Sequence, residues 1–102
     1  MYGLGQQDID IIQSIGKNYA NIKRILIFGS RVLEKYRKAS DVDLAVMGGL
    51  EPKDIWAISG QLNDELPTPY FYDVVHFESL LDEKMKTHIR TEGKIIYESE
   101  AP

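Results

Sequence analysis

The run Ile25-Leu26-Ile27-Phe28, preceded by Arg24 and stopped by Gly29, constrains the fold more than any other stretch. Four apolar residues in succession leave no polar face for water, so the segment reads as a short strand buried on both sides. Other elements must cover it, and the rest of the sequence supplies them by alternating helix-like and strand-like segments. The expected class is α/β, a mixed sheet of about three to four strands flanked by helices.

Asp8 caps a first helix in which Ile9, Ile12, Ile15 and Tyr19 fall near helical spacing, and Gly16, Asn18 and Asn21 weaken its end. After Gly29, Ser30 opens a short helix to about Lys38 that carries Val32, Leu33 and Tyr36. Asp41 to Met47 alternates polar and apolar residues before Gly48-Gly49. This is a strand with Val42, Leu44 and Val46 on one face and Asp41 and Asp43 on the other. Pro52 starts a helix to about Leu66, with Ile55, Trp56, Ile58, Ser59 and Leu62 as its core stripe, and Pro67 and Pro69 break it. A third strand spans Tyr70 to Phe77. A last helix from Ser79, with Asp82 placed for a capping box, runs through Leu81, Met85 and Ile89 to Gly93, and Lys94 to Tyr97 forms a closing strand. With no repeat and no linker, residues 1–102 are expected to form one domain.

Charge and cysteine content remove several classes of function. Sixteen acidic against twelve basic residues give a net charge of −4 and a pI near 5.1, which supplies no broad positive surface for a long nucleic acid. The absence of cysteine excludes disulfide scaffolds, thiolate zinc sites and thiol nucleophiles, and fits a reducing cytoplasm. No apolar run approaches a membrane span, and the leading segment has no basic-then-apolar signal pattern. A cytoplasmic protein without a membrane partner is expected.

Three features carry chemistry together: Gly29-Ser30 at a strand-to-helix turn, the pair Asp41 and Asp43 on the next strand, and Asp73 inside the third. A glycine lets the backbone approach a phosphate, its neighbour's N–H and hydroxyl donate to phosphate oxygens, and a helix dipole favours the negative charge. Aspartate is disfavoured in strands, and two on one face repel, so the pair asks for a cation. Oxygen-only ligands suit Mg²⁺ or Mn²⁺ rather than zinc. If the third strand lies beside the second, three carboxylates converge opposite the Gly-Ser turn, the arrangement of a two-metal nucleotidyl-transfer site.

Phe28-Gly29-Ser30-Arg31, ten residues from Arg31 to Ser40, and then Asp41-Val42-Asp43-Leu44 resemble the motif of the minimal nucleotidyltransferases in the DNA polymerase β-like superfamily. Tyr72-Asp73-Val74-Val75 is similar to that family's strand with the third carboxylate, and Glu92-Gly93-Lys94-Ile95-Ile96-Tyr97 to its ending, so the resemblance spans nearly the whole chain. It implies the nucleotidyltransferase (polymerase β-like) fold and ATP as substrate. Two Mg²⁺ ions, or Mn²⁺, would sit on Asp41, Asp43 and Asp73, with Asp73 as general base. Gly29 and Ser30 would hold the triphosphate, and Arg31 and Ser40 would support the phosphates and the metal-bearing strand. Short members of the family commonly act as antitoxins beside a helical HEPN-type toxin, and some transfer AMP onto a toxin tyrosine, which implies a hetero-oligomer. Two other outcomes stay open: neutralisation of the partner by occlusion without catalysis, and transfer to a small molecule. Glu34 departs from the family, which often has glycine there, and bears on the turn and on triphosphate binding.

The remaining candidates read as structural. His76 shares a face with Tyr72 and Val74, away from Asp73, as a satisfied histidine does, and His88 among Lys86, Thr87 and Arg90 reads as solvated. Arg31, Lys35, Arg37 and Lys38 read as a solvated helix face. Tyr70-Phe71-Tyr72 and Phe77 divide between core and protein interface.

Overall fold

A computed structural model of the chain describes residues 2–35, 41–64 and 70–100. Its elements are helix α1 (Gln6–Asn18), strand β1 (Ile22–Phe28), a single 3-10 turn (Gly29–Arg31), β2 (Val42–Gly48) and α2 (Pro52–Asp64), followed by β3 (Tyr72–His76), a second 3-10 turn (Phe77–Ser79), α3 (Glu83–Glu92) and β4 (Lys94–Glu98). The four strands make one mixed sheet in the order β3-β2-β1-β4. β1 is antiparallel to β2 and β4, whereas β2 and β3 are parallel. A parallel pair needs a crossover, and α2 lies in it.

The apolar run in β1 is explained by two cores. On one face Ile25 and Ile27 join Ile12 and Ile15 of α1, Val42, Leu44 and Val46 of β2, Ile58 and Leu62 of α2, and Tyr72. On the other, Leu26 and Phe28 join Ala45 and Ile89 of α3, with Met47, Val75 and Met85 packed against them. Buried apolar side chains on both faces of a central strand are what dictates the missing alternation. The same covering explains why Ala45 is as buried as its flanking neighbours Leu44 and Val46.

Several local expectations shift. Gly5, not Asp8, caps α1, while the Asp8 carboxylate reaches back to accept from the Gly5 N–H at 3.1 Å. Gly16 sits in α1 because the ring of Tyr97 lies where a Cβ would be. The helix expected from Ser30 to Lys38 is only the 3-10 turn over the described residues, followed by Glu34 in the left-handed region at φ 57°. Residues 36–38 lie outside the described residues. Trp56 leaves the core stripe and is 77% exposed, because Ile58 and Leu62 are the buried pair and Trp56 stands off their line on the helix. Leu66, Pro67 and Pro69 lie outside the described residues. The last helix starts later than Ser79: Asp82 is its N-cap, accepting from the N–H groups of Lys84 (2.9 Å) and Met85 (3.3 Å). Among the described residues no helix is long and apolar enough to cross a membrane.

Candidate active site

The register of the sheet assembles the site. Phe28 at the end of β1 faces Asp43 in β2, and Asp43 faces Asp73 in β3. Strand alternation puts Asp43 with Ala45, and Asp73 with Val75, on the side of the sheet that α3 covers. Asp41, two residues before Asp43 and exposed, stands at the same end. The strand order that the sequence could not supply therefore sets two acids side by side with a third beside them.

Gly29 follows directly, with φ +76°. A Cβ there would run into Oδ2 of Asp43 and come within 3.2 Å of its Cγ. Left-handed φ and the close carboxylate both require glycine at this position. Burial pushes the Asp43 pKa up from its ordinary value. The neighbouring charges of Asp73 and Asp41 push the same way, and the positive charge of Arg31 pulls against them.

Among the described residues no group of three or more His, Cys, Asp or Glu side chains is arranged to hold a metal ion. The donor set still fits a hard divalent cation. The donors are carboxylate oxygens at one end of the sheet, and Asp43 bears a like-charge cost that a positive ion would cancel.

An open cavity of about 440 Å³ lies over the carboxylates, lined by Phe28, Gly29, Asp43, Asp73, Val75, Asp82, Lys84, Met85 and His88. Its walls therefore come from three strand ends and from α3. A larger hollow of about 650 Å³, between Gln13 and Lys17 of α1 and Tyr97 to Glu100, contains none of the residues in the motif.

His88 is the residue that the sequence did not flag. Far from being solvated, it turns toward the site: its Nε2 accepts a 2.9 Å hydrogen bond from the Gly29 N–H, and its ring meets Phe28 edge-on at 6.0 Å between centroids. The signal was present in the helical spacing, since His88 lies three residues after Met85 and beside the fully buried Ile89. His76 is structural as expected. Its Nε2 donates to the Gly48 carbonyl and its Nδ1 shares a hydrogen bond with the Ser79 hydroxyl, both at 2.7 Å.

Arg31 is 1% exposed and turned into the fold. Its Nε donates to the Asp41 carbonyl at 3.4 Å, its Nη1 to the Tyr2 carbonyl at 2.9 Å, and its guanidinium lies 4.8 Å from the Tyr70 ring centroid. Of the two supports expected of it, the contact with the Asp41 carbonyl ties it to the carboxylate-bearing strand. Ser30 stands in the 3-10 turn beside Gly29, and its carbonyl accepts from the Lys35 N–H. Over the described residues the turn after Gly29 is a single 3-10 turn, which offers an anion its local N–H groups. Ser40, Arg37 and Lys38 lie outside the described residues.

A glycine turn, a strand-borne pair of acids and a third acid delivered by a parallel crossover describe a nucleotidyl-transfer domain. Residues 7–101 match the family model described as polymerase beta, nucleotidyltransferase, and the chain belongs to that family. Solved structures agree in fold. A toxin-antitoxin crystal structure with AMP-PNP superposes with a TM-score of 0.73 at 22% identity, over 94% of this chain and 76% of the other. The structure of a tri-AMPylated Shewanella oneidensis HEPN toxin in complex with MNT antitoxin gives 0.69 at 21%, over 98% and 75%. The MntA-HepT toxin-antitoxin structure gives 0.69 at 21%, over 94% and 74%. No curated protein matches the sequence.

Proposed function

We propose that the chain transfers AMP from ATP to a hydroxyl, a tyrosine side chain, of a helical HEPN-type partner protein, and so serves as the antitoxin of a toxin-antitoxin pair. The observation that carries this reading is the side-by-side placement of Asp43 and Asp73 at the mouth of a cavity that also contains Gly29. The fold likeness to toxin-antitoxin structures, one with AMP-PNP and one with an AMPylated toxin, supports the choice of nucleotide and partner.

In this reading the N–H of Gly29 and the N–H and hydroxyl of Ser30 donate to the phosphate oxygens of ATP. Asp41, Asp43 and Asp73 would hold divalent magnesium, which when bound would supply charge neutralisation for the triphosphate. Asp73 takes the proton of the acceptor hydroxyl. The hydroxyl oxygen then bonds to the α-phosphorus as the bond to the bridging oxygen breaks, and pyrophosphate leaves. Val75, Met85 and Phe28 give the cavity an apolar wall beside the acids. Arg31, through the Asp41 carbonyl, keeps the start of β2 in place.

The test is incubation of the purified protein with ATP labelled at the α-phosphate, Mg²⁺ and a lysate of its host, beside an Asp43→Asn control. Label on a discrete protein band, absent with the control, supports the reading. No label together with no Mg-ATP binding overturns it. Glu34, held left-handed next to the phosphate-facing turn, favours a second reading in which the protein neutralises its partner by occlusion. Full protection of the partner's host by both Asp41→Asn and Asp43→Asn would select it.

A further inference from the structure

We propose that His88 belongs to the nucleotide site as a place-holder. Its imidazole occupies the Gly29 N–H that a phosphate oxygen must take, so nucleotide binding and the Gly29–His88 hydrogen bond exclude one another. The inference rests on the nucleotide-binding part of the reading above.

The geometry gives the reasons. Nε2 accepts at 2.9 Å, so in this state the ring carries its proton on Nδ1 and presents a lone pair to Gly29. One N–H makes one good hydrogen bond, and sharing it lengthens and bends both. His88 does not set the turn it touches. The φ of +76° is a glycine conformation, and the adjoining pair Phe28 and Asp43 anchors the strand end. What His88 adds is a bond that satisfies a partly buried donor at the cavity wall. The ring is held there by α3, whose Ile89 is fully buried against the sheet, and by the edge of Phe28. A phosphate oxygen entering beside Asp43 and Asp73 meets this donor already engaged.

A residue that only bound phosphate would weaken affinity when removed, and one that only supported the fold would do the same. A place-holder has the opposite sign. Replacing it leaves Gly29 N–H to water, which a phosphate displaces more readily than a fixed imidazole. Taking the net worth of one ordinary hydrogen bond, His88→Ala tightens nucleotide binding by about fivefold.

The experiment is calorimetric titration of the full chain and of His88→Ala with AMP-PNP and Mg²⁺. The histidine ring nitrogens of the unmodified chain are followed by NMR in the same titration. Tighter binding by the variant, together with a large change at the Nε2 resonance of His88 when AMP-PNP is added, is the expected result. Equal or weaker binding by a folded variant overturns the place-holder while leaving nucleotide binding and AMP transfer intact. Should the variant not fold, an Nε2 resonance unmoved by AMP-PNP in the unmodified chain overturns it alone. Failure of the unmodified chain to bind AMP-PNP removes this inference and the proposed function together.

Discussion

Asp43 of β2 and Asp73 of β3 are register partners across a parallel strand pair, on the face of the sheet that α3 covers. Acids placed opposite one another in a sheet repel, and nothing in sheet formation rewards the pairing. The arrangement has a use only if something positive comes between them. Replacing Asp43 by Asn should therefore lower AMP transfer on the order of a hundredfold or more, while far-ultraviolet circular dichroism stays unchanged. Initial rates with α-labelled ATP and the acceptor protein provide the check.

The same pair predicts a stability profile with pH. The folded-state pKa of Asp43 lies above its ordinary 3.8, chiefly through burial and then through Asp73 and Asp41. A carboxyl raised on folding costs stability while ionised, and the cost is relieved as pH falls through the raised value. It stops changing below the unfolded value. In metal-free buffer Asp43→Asn should melt higher than the unmodified chain at neutral pH, and the gap should close on acidification toward about pH 4. Adding Mg²⁺ at neutral pH should raise the melting temperature of the unmodified chain and not that of the variant, by scanning fluorimetry.

Glu34 stands at φ 57°, in the region where a side chain costs about 1–2 kcal/mol and glycine costs nothing. Glycine also loses more backbone freedom on folding, by roughly 0.5–1 kcal/mol. Glu34→Gly should thus stabilise the fold by about 0.5 kcal/mol, read as a higher urea midpoint with unchanged slope. A loss of stability would mean that the Glu34 side chain contributes contacts that outweigh its backbone.

Arg31 spans two carbonyls, those of Tyr2 and Asp41, from a position only 1% exposed. A lysine has a single ammonium and cannot reach both with the same fork geometry. Arg31→Lys should cost about 2 kcal/mol in urea unfolding while leaving the KM for ATP within about threefold of the unmodified chain's. A KM rise of tenfold or more in a variant of unchanged stability would place the guanidinium on the nucleotide instead.

Much of this was legible in the sequence because it is local. The turn at Gly29, the acids at 41 and 43 and the isolated Asp73 in an apolar strand each violate a propensity within a few residues, and a violation of that kind shows without tertiary knowledge. What sets Asp43 against Asp73 is strand order, a non-local fact that periodicity does not contain. His88 was hidden by its polar neighbours Lys86, Thr87 and Arg90, and only the packing of Ile89 and Met85 onto the sheet turns it inward. Trp56 misled in the other direction, because one residue of offset on a helix moves a side chain by about 100°. Over the described residues the helix expected after Ser30 is replaced by a single 3-10 turn.

The parallel crossover also orders events in time. The antiparallel pair of β1 and β2 joins segments close along the chain, whereas β3 must wait for α2, and the contact between Gly29 and His88 joins residues 59 apart. Long-range closures form late because their loop entropy is spent before any contact repays it. During synthesis, then, the glycine turn and the first two acids emerge from the ribosome well before Asp73 or His88 exists. The carboxylates of Asp43 and Asp73 therefore meet only once β3 has docked on β2, when most of the core is there to hold them.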